Sequence, residues 1–277
     1  EVAMLMTALA NRYAHQLLDA RQKSELMPSL ASRYPITVED AYEIAERIGD
    51  IRTAEGETIV GRKFDYLNGI SPVDHRKAQL PFWGWLYDSS VRFMENSEGS
   101  FSLKGMLQPR IEAEVVFRLG KVPPENATIR EMADCIEWMA HGIEVTEYPF
   151  VDSPRNLVDA VAGFGMHGAL LVGEPKIVSE GSRKSLADVL ECASMSLACG
   201  EVIQTAGFGS DTFSNPLTGL LKLHQMLGLQ ARFPSLQAGD IIASGSWTRP
   251  VDARPGNVWL TAISGLPLPG LVVEFTQ

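Results

Sequence analysis

The most informative stretch of this sequence reads Arg110-Ile111-Glu112-Ala113-Glu114-Val115-Val116-Phe117. Its apolar residues predict a β-strand that is buried on at least one side. Glu112 and Glu114 are two residues apart, so on a strand their side chains point to the same face. A solvated strand face could carry such a pair. If the strand withdraws both carboxylates from water, they must be protonated or hold a cation.

A third acid interrupts another apolar segment further along the chain. Glu144 lies in His141-Gly142-Ile143-Glu144-Val145, which also predicts a strand. Three carboxylates from two strands form the oxygen-rich ligand set that Mg²⁺ or Mn²⁺ prefers. Zinc is less favoured, because no cluster of histidines or cysteines accompanies these acids. The three acids therefore predict a site for Mg²⁺ or Mn²⁺.

Three further segments carry candidate polar groups. Lys63 follows Val60-Gly61-Arg62 at the end of a predicted strand, where it could bind an anion or face solvent. The Gly245-Ser246 turn can offer backbone N–H groups and a hydroxyl to a carboxylate. His167 ends a glycine-rich loop, where it could act as a general acid or base or be an ordinary hydrogen-bonded histidine.

The rest of the chain predicts an N-terminal helical segment, residues 1–57, joined to a β-rich body, residues 58–277. Capping boxes predict that helices begin after Thr37 and Thr128, and the second of these helices is expected to continue through Met139. Another helix is expected from Pro216 to Leu227. The arrangement belongs to the α+β class.

Composition excludes several classes of partner. The 277 residues contain 34 acids and 24 bases, and the resulting net charge of −10 disfavours nucleic acid and anionic membranes. No segment has the ~20 apolar residues of a membrane span, and the N-terminal residues lack the pattern of a signal peptide. Three cysteines disfavour a disulfide framework. We therefore expect a soluble, cytoplasmic protein.

Four motifs occur in an order that resembles the fumarylacetoacetate hydrolase superfamily, and within it the 2-keto-4-pentenoate hydratase and 4-oxalocrotonate decarboxylase branch. They are Val60-Gly61-x-Lys63, Pro109-x-Ile111-Glu112-Ala113-Glu114, Ile143-Glu144-Val145 and Ala238-Gly239-Asp240-Ile241-Ile242-x-x-Gly245-Ser246. The resemblance runs from about Ile59 to Phe275. It implies a mixed β-sandwich roll with a divalent metal at its mouth, in a protein that assembles as a homo-oligomer.

The same resemblance implies roles for individual residues. The acids that match the metal ligands of the family are Glu112, Glu114 and Glu144. Lys63 matches the active-site lysine, and we add His167 as a second catalytic candidate. The residues that fall where the family contacts substrate are Gln108, Gly245 and Ser246.

These assignments lead to a functional hypothesis. We expect a lyase that acts on a small 2-oxo or 2-hydroxydienoic acid, and we favour a 2-hydroxypenta-2,4-dienoate-type hydratase. Water would add through an enolate that the cation stabilises. The alternatives are a decarboxylase of the 4-oxalocrotonate type, a C–C hydrolase of an acylpyruvate, and a partner subunit that binds an oxo acid without turnover.

The sequence departs from the hydratase pattern in three places. Lys63-Phe64-Asp65-Tyr66-Leu67 replaces Lys-x-Gly-Leu-Thr, and residues 162–167 replace an Ala-Asp-Asn-Ala-Ser-Ser loop. An acid common before a Phe-Gly or Tyr-Gly turn is missing near Phe82. We expect the distal pocket to differ most: Trp83, Trp85 and Phe164 predict an aromatic lining, and Arg62 or Arg249 could meet a second carboxylate.

Overall fold

A computed structural model of the chain describes residues 2–33, 35–70, 77–151, 155–210 and 215–277. The α-helices are α1 (Val2–Lys23), α2 (Leu30–Arg33), α3 (Val38–Ala54), α4 (Ile129–Cys135), α5 (Leu157–Ala162), α6 (Glu180–Arg183), α7 (Leu186–Cys192) and α8 (Pro216–Gly228). Short 3-10 turns occupy Glu95–Ser97 and Phe164–Met166.

The strands alternate with these helices after residue 58. They are β1 (Ile59–Ile70), β2 (Lys77–Tyr87), β3 (Val91–Phe93), β4 (Glu98–Ser102), β5 (Arg110–Leu119), β6 (Ile136–Thr146), β7 (His167–Val172), β8 (Lys176–Ile177), β9 (Ser194–Cys199), β10 (Val202–Phe208), β11 (Ile241–Ser246), β12 (Val251–Asp252), β13 (Val258–Ser264) and β14 (Val272–Thr276).

Two mixed sheets form the body of the protein. The larger sheet has the order β2-β1-β11-β5-β6-β7-β3, with β12 beside β5 and β8 beside β6. The smaller sheet has the order β10-β9-β13-β14-β4. Both combine antiparallel with parallel pairs, since β1 runs parallel to β11 and β14 runs parallel to β4. The predicted α+β fold with its mixed sheets is confirmed.

The N-terminal helices pack onto the sheets through one continuous core. Thr37 and Asp40 form the expected capping box at the start of α3. The helix then places Ile44 and Ile48 in the same core cluster as Phe117 of β5. Because an amphipathic helix is stabilised mainly by burying its apolar face, this contact accounts for the helical N-terminus.

Two expectations about element boundaries are wrong. The capping box at Thr128 is present, but α4 ends at Cys135, and Met139 lies in β6 opposite Phe117 of β5. Pairing with β5 outweighs the helical spacing of the apolar residues, as tertiary contacts commonly do. Likewise β1 does not end at Lys63, because its pairing with β2 continues to Ile70. The helix expected from Pro216 is confirmed as α8.

The helices of the described ranges were compared with the requirements of a transmembrane segment. In the described ranges, none combines the length and the apolar character that a transmembrane segment requires.

Candidate active site

Two adjacent strands of the larger sheet carry the three predicted metal ligands. Glu112 and Glu114 lie on β5, and the β5–β6 register places Glu144 of β6 directly opposite Glu112. Side chains opposite each other on one face of an antiparallel pair are neighbours, and like charges there repel. The exposed fractions of the three residues are only 5%, 1% and 2%, so water does little to screen this repulsion.

Among the described residues, Asp65 of β1, and not Glu114, completes the group of three acids whose oxygens lie closest together. Carboxylate oxygens of Asp65, Glu112 and Glu144 all lie within 4.8 Å of one another. From the sequence, Asp65 is recognisable only as a departure from the lysine motif. The signal that could have found it is its spacing, since residues 63 and 65 of one strand share a face.

Lys63 supplies positive charge next to two of the acids. Its Nζ lies 2.8 Å from Oε2 of Glu144 and 3.7 Å from Oδ2 of Asp65, and its side chain is fully buried. Burial alone would lower the pKa of Lys63, but the nearby carboxylates outweigh burial and raise it. Lys63 therefore stays protonated and holds Glu144 in place.

The four carboxyl groups respond differently to their shared burial. Burial and the neighbouring acids raise the pKa values of Glu112 and Glu114 well above the ordinary range. Burial also raises the pKa of Asp65, with Lys63 opposing. For Glu144 burial acts in the same direction, but Lys63 and His167 outweigh it and lower the pKa. The positive charge of Lys63 thus offsets the burial of Glu144 but not that of Glu112 and Glu114.

Two oxygens of this group have no donor. Oε2 of Glu112 and Oε1 of Glu114 are buried and have no hydrogen-bond partner among the described residues. The other oxygen of Glu114, Oε2, accepts a hydrogen bond of 3.1 Å from the main-chain N–H of Gly245. Buried oxygens without donors are costly unless a cation satisfies them. The residues present therefore fit a hard divalent cation.

Gly245 reaches Glu114 because β11 is irregular at this point. Its φ of 103° lies in the left-handed region that favours glycine, and the β11–β5 register shifts between Ala243 and Ser246. The predicted Gly245-Ser246 turn thus contributes a backbone donor to a carboxylate of the protein itself.

His167 lies behind Glu144. Its Nδ1 is 2.9 Å from Oε1 of Glu144, and its Nε2 is 2.9 Å from Oγ of Ser90. Burial lowers the pKa of His167, with Glu144 opposing. The side chain is 1% exposed and is not among the residues that line the large open cavity next to the acids. Its contacts favour orientation of Glu144, and a catalytic role for His167 stays a prediction.

The turn that precedes His167 is held tightly against β2. A Cβ atom on Gly165 would lie 2.5 Å from Cα of Gly84, so the two backbones touch. Arg21 of α1 lies over the Phe164 ring at 4.7 Å and donates to the carbonyl oxygen of His167. The N-terminal helix thereby fixes the segment that presents His167.

An open cavity of about 1380 Å³ adjoins the acids. Asp65 and Glu112 line it, as do the predicted substrate-contact residues Gln108 and Ser246. Gln108 has a φ of 52°, and its Nε2 donates to the carbonyl oxygens of Tyr148 and Phe150. A strained backbone held by side-chain hydrogen bonds is typical of preorganised sites.

The residues predicted for the aromatic lining of the distal pocket are wrong, because Trp83, Trp85 and Phe164 do not line the large cavity. Trp83 and Trp85 pack against each other and against Phe233, and Arg62 lies over both indole rings. Arg62 also donates to the carbonyl oxygen of Pro234. The aromatic residues that line the cavity are Tyr66, Phe82, Tyr148, Phe150, Phe208 and Trp247. Arg249 does line the cavity, as expected.

Comparisons with known proteins agree with this geometry. A family model described as fumarylacetoacetate (FAA) hydrolase C-terminal matches residues 96–268. A 2-hydroxyhexa-2,4-dienoate hydratase from Comamonas testosteroni is 27% identical over 95% of this chain and 96% of its own. A 2-keto-4-pentenoate hydratase from Paraburkholderia xenovorans is 27% identical over 91% of this chain and 90% of its own.

One solved structure is similar along nearly the whole chain. It is a 4-oxalocrotonate decarboxylase from Pseudomonas putida G7 complexed with magnesium and adipate. The TM-score is 0.79, with 19% sequence identity and coverage of 97% of both chains. At this identity the similarity establishes a shared fold.

Proposed function

Because this chain belongs to the fumarylacetoacetate hydrolase family, we propose that it is a divalent-metal-dependent lyase that hydrates a 2-hydroxy-2,4-dienoic acid. The observation that carries the proposal is the group of acids beside the cavity, in which Glu112 and the neighbouring Glu114 each have a buried oxygen without a donor among the described residues. Two similar proteins are named as hydratases of such acids.

The metal would be held by Glu112, Glu114 and Glu144. A bound Mg²⁺ or Mn²⁺ supplies Lewis-acid stabilisation of negative charge on the C2 oxygen of an oxo acid. Magnesium accompanies the structurally similar decarboxylase. Within the protein, Lys63 and His167 each contact one oxygen of Glu144, so this ligand is oriented before any cation arrives.

Asp65 is the acid that we assign to proton transfer. It lines the cavity beside Glu112, and burial raises its pKa, so its carboxyl group can hold a proton at the cavity surface. In the proposed reaction the dienol gains a proton at C5 and loses one from the C2 hydroxyl. Water then adds its oxygen to C4 and a proton to C3, which gives a 4-hydroxy-2-oxo acid.

Substrate would be positioned by the wall of the cavity. Gln108 lines the cavity, and its side chain is held by hydrogen bonds from Nε2 to the carbonyl oxygens of Tyr148 and Phe150. Ser246 lines the same cavity, with its hydroxyl donating to the carbonyl oxygen of Thr248. We propose both as substrate contacts. Gly245 contributes indirectly, since its N–H holds Glu114. The expected cytoplasmic location and homo-oligomeric assembly also stay proposals, the latter testable by measuring the mass in solution.

A 4-oxalocrotonate-type decarboxylase is the second candidate, favoured by the similarity of the whole fold to such an enzyme. Both reactions begin with a 2-oxo or 2-hydroxy acid at the same metal, and they differ in product. Hydration keeps every carbon and adds water, whereas decarboxylation releases carbon dioxide. Mass spectrometry of the product separates the two, and it also detects C–C hydrolysis of an acylpyruvate.

The test follows the ultraviolet absorbance of a 2-hydroxydienoate with Mg²⁺ or Mn²⁺. We expect the absorbance to fall and a chelator to stop the reaction. Glu114→Gln should lose both metal binding and turnover, whereas Asp65→Asn should retain metal binding and lose turnover. Glu174→Gln, an exposed acid paired with Lys176, is the control and should behave as the unaltered protein.

Two outcomes would contradict the proposal. Turnover that persists after complete removal of divalent metal would exclude the metal-dependent mechanism. Tight binding of oxo acids with no spectral change across a panel of dienoates, oxalocrotonate and acylpyruvates would instead favour a binding subunit without activity.

A further inference from the structure

The large cavity contains an excess of arginine side chains on a protein of net charge −10. Four arginines line it: Arg110, Arg155, Arg249 and Arg254. The lining acids are Asp65 and Glu112, which belong to the metal group, and Asp252. A local positive region in an acidic protein indicates attraction for an anion.

Arg110 relates this region to the metal group. It lies on β5 two residues before Glu112, so both side chains leave the same face of the strand, about 7 Å apart along it. Its guanidinium donates to the carbonyl oxygen of Pro250 at 2.7 Å and lies 3.4 Å from Asp252. Arg110 therefore already has partners within the protein. Arg254, which is largely exposed, shares Asp252 at 4.0 Å.

Arg155 and Arg249 have no such direct ion-pair partner. Neither forms an ion pair with any residue that the structure describes. The half-buried Arg155 guanidinium lies over the ring of Tyr148 at 5.0 Å. Burial lowers the pKa of Arg155 and the neighbouring Arg110 lowers it further, while Tyr148, Glu112 and Asp252 oppose the shift. A partly desolvated guanidinium beside another cation is unfavourable unless an anion joins it.

We propose that Arg155, with Arg249 beside the same cavity, binds a second carboxylate at the far end of the substrate, which makes this a site for 2-oxo or 2-hydroxy dioic acids. The inference rests on the proposed function, because the metal group would take the C1 carboxylate and C2 oxygen. Guanidinium groups suit this role because they bind carboxylates through two parallel hydrogen bonds.

The arrangement of the arginines also predicts that the site discriminates between dioic acids and monocarboxylic acids. A monocarboxylic acid of the same length would leave Arg155 desolvated without an anion, and such unpaired groups are the main source of selectivity against a smaller ligand. The preference should therefore be lost when the guanidinium is removed, without loss of the metal-dependent part of binding.

The test measures binding of two unreactive ligands to the magnesium-loaded protein by calorimetry. The ligands are 2-oxoadipate and 2-oxohexanoate, which share six carbons and the 2-oxo acid group and differ only in the distal carboxylate. We expect 2-oxoadipate to bind at least about tenfold more tightly. Arg155→Gln should reduce this ratio to about twofold or less and leave the affinity for 2-oxohexanoate unchanged. The control is Arg130→Gln, an exposed arginine outside the cavity, which should keep the ratio.

The outcomes separate this inference from the proposed function. Equal affinity of the unaltered protein for both ligands would overturn the inference and leave a 2-oxo acid site intact. A preference that survives Arg155→Gln would overturn the assignment to Arg155. Failure of both ligands to bind in the presence of Mg²⁺ would instead count against the proposed function itself. The unchanged affinity for 2-oxohexanoate verifies that the Arg155→Gln variant is folded.

Discussion

The Nδ1 atom of His167 lies 2.9 Å from Oε1 of Glu144, while the other oxygen of this carboxylate lies 2.8 Å from Nζ of Lys63. Glu144 is thus held on both sides by the protein. Glu112 and Glu114 each keep one buried oxygen without a donor among the described residues. The site therefore combines one preoriented acid, Glu144, with two acids whose buried oxygens could be satisfied by a bound cation.

Replacement of His167 by Asn should weaken magnesium binding by about 10- to 100-fold, because the residue that orients a ligand is lost while all the acids remain. Calorimetry with Mg²⁺ measures the effect. His15→Asn on the exposed face of α1 is the control and should not change the affinity. If His167→Asn binds Mg²⁺ normally but loses turnover, His167 is catalytic and our positioning role is wrong.

Glu112→Gln should have opposite effects with and without metal. In chelator the variant should melt at the same temperature or higher, because a neutral amide replaces a buried carboxyl group that faces other acids. Saturating Mg²⁺ should raise the melting temperature of the unaltered protein but not that of the variant. At a concentration 100 times the Kd, the stabilisation lost is about 2.7 kcal/mol.

Melting temperatures measured by thermal unfolding in chelator and in saturating Mg²⁺ test this prediction for Glu112→Gln, with Glu174→Gln as the surface control. A variant that is strongly destabilised in chelator, yet still stabilised by Mg²⁺, would show that Glu112 serves the fold and does not bind the metal.

The sequence predicted the parts of this site that depend on local spacing. Glu112 and Glu114 share a face because strands have a period of two residues, and the apolar residues beside Glu144 indicated its burial. The proximity of Glu144 to Glu112 depends on the β5–β6 register, which cannot be predicted from a local sequence pattern. Spacing places Asp65 on the same face as Lys63, but its contact with the acids likewise depends on the position of β1 in the sheet.

Aromatic residues and arginines were harder to place from sequence. Tryptophan side chains occur both in ligand pockets and in hydrophobic cores, so the sequence could not distinguish the two for Trp83 and Trp85. In the structure both rings pack against Phe233 and belong to the core. Arg62 lies at the core beside them and not at the cavity, because its guanidinium stacks on the two indole rings. Arg155 carried no motif at all and became visible only through the shape of the cavity.

His141 should make the protein sensitive to acid. It is fully buried in β6, with Nδ1 3.0 Å from Oγ1 of Thr261, and burial lowers its pKa from 6.5 to about 4. Below pH 6.5 the unfolded chain binds the proton more readily than the folded protein, so stability falls as the pH drops from 6.5 towards 4. The loss attributable to this residue is about 3 kcal/mol at the lower end.

Urea unfolding at several pH values, at constant Mg²⁺, measures this contribution as a difference between variants. His141→Asn should show a shallower loss of stability over this range than the unaltered protein, whatever its stability at pH 7. His15→Asn should show the same slope as the unaltered protein. Identical slopes for all three proteins would exclude His141 as a source of acid sensitivity.

Gly165→Ala should destabilise the protein by about 2–4 kcal/mol, because the new Cβ would overlap the backbone of Gly84 and the φ of 61° disfavours any side chain. The turn must then move away from β2, and His167 begins the strand that follows it. We therefore expect weaker magnesium binding together with the loss of stability. Gly228→Ala at the end of α8 is the matched control, since nothing lies within 4 Å of its added Cβ. Denaturant unfolding and calorimetry with Mg²⁺ test both effects, and a Gly165→Ala variant as stable as Gly228→Ala would mean that the turn does not need its close contact with β2.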